Sequence, residues 1–188
     1  MNKMLKADQT PNIFKFKPVQ TVAFGAIFMA LRVVLGMFEI NIGDSYRFTF
    51  SPLPVTLAAY MLGPVWGGII GGCGDIITLF IHPSGGGGIN PGILLAKVLW
   101  GVIMGLLLHK KSVTWLRAIA ANFIAIIVCN VCITTASLCI VYGYPVEAIL
   151  PVRLITNSVH FVVYSVATYF FAILLVNIYN KTQSKFAH

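Results

Sequence analysis

Arg32, Arg47, Lys97 and Arg153 stand inside or at the edges of long apolar stretches, and Asp75, in GGCGDIITLF, is the acid set most deeply into one. A charge at the centre of a bilayer-spanning segment costs on the order of 2.5–3.5 kcal/mol even on insertion scales, so such groups face an interior cavity or reach back to the interface. Arg153 lies near the start of an apolar stretch and Arg47 between two, positions that suit a long side chain reaching for the interface. Lys97 and Arg32 lie well within theirs, which points to an interior role. Guanidinium and ammonium groups recognise carboxylates or phosphates, the first as a planar fork and the second as a point charge. A carboxylate such as Asp75 either neutralises a lysine or reads a ligand, and both readings stand.

Neutral polar groups follow helical spacing around these charges. Arg153, Asn157, His160 and Tyr164 recur at i, i+4, i+7 and i+11, one continuous stripe, and Asn130 and Thr134 form a second pair at i, i+4. Stripes on several helices of one bundle favour a solute cavity, although each alone would serve as interhelical hydrogen bonding. In Tyr46-Arg47-Phe48-Thr49-Phe50 an extended chain turns the three aromatics one way and Arg47 and Thr49 the other. Such a row sandwiches a flat ring beside an acid group, or forms an interfacial aromatic belt.

Catalytic signatures are missing from the sequence. It holds no H-E-x-x-H, no G-x-S-x-G and no carboxylate cluster with metal-ligand spacing, and its four histidines are dispersed. Cys129 and Cys132 make a C-x-x-C, but no second pair or neighbouring histidine completes a site, so both read as small residues of an apolar helix. The stretch HPSGGGGINPG lacks the Gly-Lys-Ser/Thr of a phosphate loop. The expectation is a binding protein, not an enzyme, with no metal or cofactor of its own.

The elements that position these groups follow from composition. Of 188 residues, 58% are hydrophobic and 10% charged, with a mean hydropathy of +0.88; soluble domains carry about 25% charged residues. An integral membrane protein of the all-α class is expected, with six transmembrane helices near residues 19–37, 50–62, 65–81, 93–109, 115–142 and 152–179. The second is short and spans only if it is packed within protein. Residues 1–18 and 181–188 flank this single domain of 19–180 as polar, basic segments, and no cleavable signal precedes it. With six spans, nine of the thirteen basic residues share a side with both termini, which places the termini in the cytoplasm. The net charge of +8 sits at the ends of the apolar stretches, a pattern of membrane topology and not of nucleic-acid binding. Segment 38–49 and the glycine stretch then share the outer side. Gly85, Gly86, Gly87 and Gly88, bounded by Pro83 and Pro91, are read as a gating lid. On the first helix Ala26 and Ala30 lie about 40° apart, whereas Arg32 lies about 200° from Ala30, so the small-residue face and the cation point different ways.

Taken in order, Tyr46–Phe50 with Pro52-Leu53-Pro54, MLGPVWGGIIGGCGDII, HPSGGGGINPG and LPVRLITN resemble the substrate-binding S components of energy-coupling factor (ECF) vitamin transporters, and among them the folate-specific type. The resemblance covers about residues 18–175. It implies a multi-pass protein of the prokaryotic plasma membrane that captures folate or a related vitamin outside the cell. It further implies partners: a transmembrane coupling subunit meeting Ala26 and Ala30, and two cytoplasmic ATPases that use ATP and Mg. On this resemblance the expected ligand contacts are Asp75 to the pterin and Arg32, Arg47, Lys97 or Arg153 to the glutamate carboxylates. Tyr46 and Phe48 stack on the rings, and Asn130 and Asn157 add hydrogen bonds. Pantothenate or another vitamin is the alternative ligand, and an intramembrane enzyme the alternative class.

Overall fold

The computed structural model describes residues 16–41, 47–81, 90–111, 114–143 and 146–186. Each of the six apolar stretches becomes a helical rod. These are α1 (Pro18–Met37), α2 (Pro52–Leu62), α3 (Pro64–Ile81), α4 (Pro91–Leu108), a rod built of α5 (Trp115–Ala125), a π-helical stretch (Ile126–Thr134) and α6 (Thr135–Tyr142), and α7 (Val146–Phe186). Five stretches, Pro18–Met37, Pro64–Ile81, Pro91–Leu108, Trp115–Val141 and Arg153–Ile178, are long and apolar enough to cross a bilayer.

α2 is too short to cross alone: its 11 residues rise about 16 Å against a hydrocarbon core of about 30 Å. Every residue from Leu53 to Met61 is buried, so protein surrounds it. Pro52 and Pro54 fall in the first turn, where the missing N–H groups have no helical partner to lose. Gly63 ends the helix at φ 103°, a conformation side chains resist, and its N–H reaches the Ala59 carbonyl at 3.0 Å. α3 starts at once with Pro64, so a single residue reverses the chain.

Close contacts fix the helix directions. Gly67 meets Ala59 of α2 and Gly101 of α4, and Gly71 meets the Lys97 carbonyl, so α3 runs antiparallel to both neighbours. Gly25 faces Trp66, Gly74 faces Arg32 and Gly36 faces Thr78, so α1 and α3 run parallel. Asn122 meets Thr168 and Asn130 meets Asn157, which sets the α5 rod antiparallel to α7. Among the described glycines the tightest approach to backbone is between α3 and α4, where a Cβ on Gly101 would fall against the Gly67 carbonyl. Backbone has no rotamer by which to yield. Gly101→Ala is expected to cost about 3 kcal/mol, at the upper end for overpacking. Thermal unfolding in detergent checks this.

Three features depart from the sequence reading. The fold is not wholly helical: Glu39–Asn41 (β1) and Arg47–Thr49 (β2) pair antiparallel, with Glu39 opposite Thr49 and Asn41 opposite Arg47. The fifth rod widens into π geometry over IIVCNVCIT, where consecutive β-branched side chains crowd the preceding turn. There the Thr134 hydroxyl donates to the Cys129 carbonyl at 2.7 Å and Thr135 to that of Asn130 at 3.3 Å, each five residues back. The last helix also begins before residue 152 and carries Pro151 within it, near enough to its start that few helical hydrogen bonds are lost.

Candidate ligand-binding site

Among the described residues, two polar clusters within the spans carry charged side chains. The first joins α1 to α3. Arg32 is 1% exposed, and its Nη2 donates to Asp75 Oδ1 at 2.9 Å while Nη1 donates to Thr78 Oγ1 at 3.4 Å. Thr78 Oγ1 in turn donates to the Gly74 carbonyl at 2.7 Å. Gly74 is required here, because a Cβ would occupy the space of the Arg32 side chain. The Asp75 partner is therefore an arginine, not the lysine weighed from the sequence. One Asp75 oxygen carries this bond, and Arg32 Nε has no hydrogen-bond partner.

The second cluster is built by the π stretch, α6 and α7. The Asn130 amide donates to Asn157 Oδ1 at 3.2 Å, and Arg153 Nη1 donates to the Asn130 carbonyl at 3.1 Å and to Thr135 Oγ1 at 3.4 Å. That carbonyl lies in the π stretch and also accepts from the Thr135 hydroxyl. His160 stacks on Tyr164 with centroids 4.9 Å apart. Lys97 is half-buried on α4, which packs against the π stretch. Among the described residues no carboxylate lies within ion-pair distance of Lys97.

Other expected site residues fall differently. Arg47 and Phe48 have their backbone in β2, while Tyr46 and Gly85, Gly86, Gly87 and Gly88 lie outside the described residues. Ala26 and Ala30 are exposed on α1, and Arg32 is buried on the face turned away from them. Asn90 caps α4, its side chain accepting from Gly92 N at 3.0 Å and Ile93 N at 3.4 Å; an Asn directly before Pro91 was the available signal. Cys129 is buried and Cys132 exposed, so the two thiols do not share a site. Thr78, Thr135 and Tyr164 enter the clusters without having been singled out as site residues. Only Tyr164, in the stripe, left a sequence signal.

Helices thus present cations and neutral hydrogen-bonding groups inside an apolar bundle, an arrangement suited to holding an anionic solute. A family model described as "ECF transporter, substrate-specific component" matches residues 20–182. The chain belongs to this family. ECF substrate-specific components are transporter subunits and not enzymes, and this one is a multi-pass helical membrane protein. It is 27% identical over 153 residues to the folate transporter FolT of Clostridium novyi (strain NT), covering 81% of this chain and 88% of that one. Its fold matches a crystal structure of FolT bound with folic acid at a TM-score of 0.76 and 27% identity, over 84% of this chain and 97% of that one.

Proposed function

We propose that this ECF substrate-specific component binds folate from outside the cell and delivers it to a transmembrane coupling subunit driven by two cytoplasmic ATPases, which use ATP and Mg. The observation that carries the reading is Lys97. A cation placed within a span, with no carboxylate within ion-pair distance among the described residues, is stabilised by a ligand that brings its own negative charge. Folate supplies two carboxylates on its glutamate. Lys97, Arg153 and Arg47 are assigned to them, and Asn130 and Asn157 to neutral hydrogen bonds. At the other cluster Arg32 holds Asp75 by one oxygen, which leaves the second to accept from the amino and ring N–H edge of the pterin. Tyr46 and Phe48 are assigned to stacking on the rings. The similarity to FolT, and to its folic-acid complex, supports this ligand over pantothenate.

Six spans with both termini cytoplasmic, in the plasma membrane, accord with the basic residues at the chain ends and at Lys110, Lys111 and Arg117. Folic acid titrated into the purified protein tests the ligand, with pantothenate as comparison. Lys97→Ala should weaken folic acid roughly ten- to hundredfold, the worth of a charged hydrogen bond. Equal affinity of variant and parent for folic acid would remove Lys97 from the site.

A further inference from the structure

Tyr164 is 2% exposed on α7, yet its hydroxyl is committed to a distant loop: it donates to the Thr49 carbonyl at 2.6 Å, across 115 residues of sequence. Thr49 ends β2 and is a junction. Its own hydroxyl donates to the Leu35 carbonyl of α1 at 3.4 Å and accepts from the Ser51 N–H at 3.2 Å, where α2 begins. The Tyr164 ring is itself held on two sides. His160 stacks on one face, and Trp100 of α4 meets it edge-on at 6.1 Å and 82°. The Trp100 indole N–H donates to Thr56 Oγ1 at 3.3 Å, and Thr56 donates to the Pro52 carbonyl at 2.9 Å. A closed circuit of contacts therefore runs from β2 through α7 and α4 to α2 and back to β2.

We infer that Tyr164 is a positioning residue for ligand retention, acting through the Thr49 carbonyl to fix β2, and with it Arg47 and Phe48, against the bundle. A buried tyrosine hydroxyl needs a hydrogen-bond partner, and this one finds it outside any helix. Tyr164 thereby satisfies non-helical backbone inside the bundle, which is tolerated at membrane depth only where protein supplies the partner. This inference deepens the folate-binding reading, and one arm of its test needs no ligand.

The test is Tyr164→Phe, which keeps the ring and removes only the hydroxyl. Loss of one neutral hydrogen bond should speed folic acid dissociation about threefold to tenfold. Amide hydrogen exchange of residues 47–51 in the ligand-free protein should accelerate as well. Tyr169→Phe, whose ring meets Trp115 at the start of α5, should alter neither quantity. Unchanged exchange at 47–51 in Tyr164→Phe overturns the inference, as does an equal response in Tyr169→Phe. Should Tyr164→Phe not fold, the unmodified protein still decides: residues 47–51 exchanging as fast as an unstructured peptide exclude a latch, and protection comparable to α2 supports one. If folic acid does not bind the parent protein, the folate reading fails while the exchange result stands.

Discussion

Tryptophan at Ala26 or at Ala30 should reduce folate uptake by cells to background while the purified variant binds folic acid as the parent does. Both alanines are exposed on α1, on the side turned away from buried Arg32, so a large side chain there disturbs neither polar cluster. Small residues four apart let a partner helix approach closely, and an indole at the seam holds it off. Uptake of labelled folate with the coupling subunit and ATPases co-expressed, set beside titration of the isolated chain, separates the two functions. Parallel loss of uptake and binding would show that the alanine face serves the fold and not the partner.

The second large effect is expected at Asp75. Its replacement by Asn leaves the Arg32 guanidinium, 1% exposed, without its counter-charge. Removing one member of a buried pair costs about 3–5 kcal/mol, whereas replacing both with apolar residues is often neutral. Asp75→Asn should therefore lower the unfolding temperature and weaken folic acid together, a result ambiguous by itself. The double variant Arg32→Met with Asp75→Leu resolves it: stability returns, and folic acid affinity does not. Recovery of both would mean that the pair only fastens α1 to α3. A stable Asp75→Asn with the parent's affinity would mean that the carboxylate does neither.

The rods were legible because apolar length and interrupting Pro and Gly are properties of sequence alone. Arg32 and Asp75 could each be singled out by the cost of a charge in a span, but not as partners. They lie 43 residues apart, and their meeting depends on Gly74 leaving room for the arginine. The π stretch stayed hidden because IIVCNVCIT has the same apolar pattern in either helix; only the Thr134 and Thr135 bonds to residues five back reveal it. β2 was legible as extended chain, but β1 and its pairing were not, since pairing is a long-range choice of register. The Asn90 cap is a matter of local geometry, the bonding of two free N–H groups at the start of α4.

α2 is seven residues shorter than α3, 11 against 18, a shortfall of about 10 Å at the helical rise. Near their shared turn the two helices stay level, Ala59 beside Gly67 and Val55 beside Gly71. The whole difference therefore accumulates at the end where β2 enters. In effect the bundle has a step cut into one side, and the height of that step is written in the length of α2. One added turn would raise it by about 5 Å. Related chains with a longer or shorter second helix should accordingly admit shorter or longer solutes, a ruler that a sequence comparison can read without any structure.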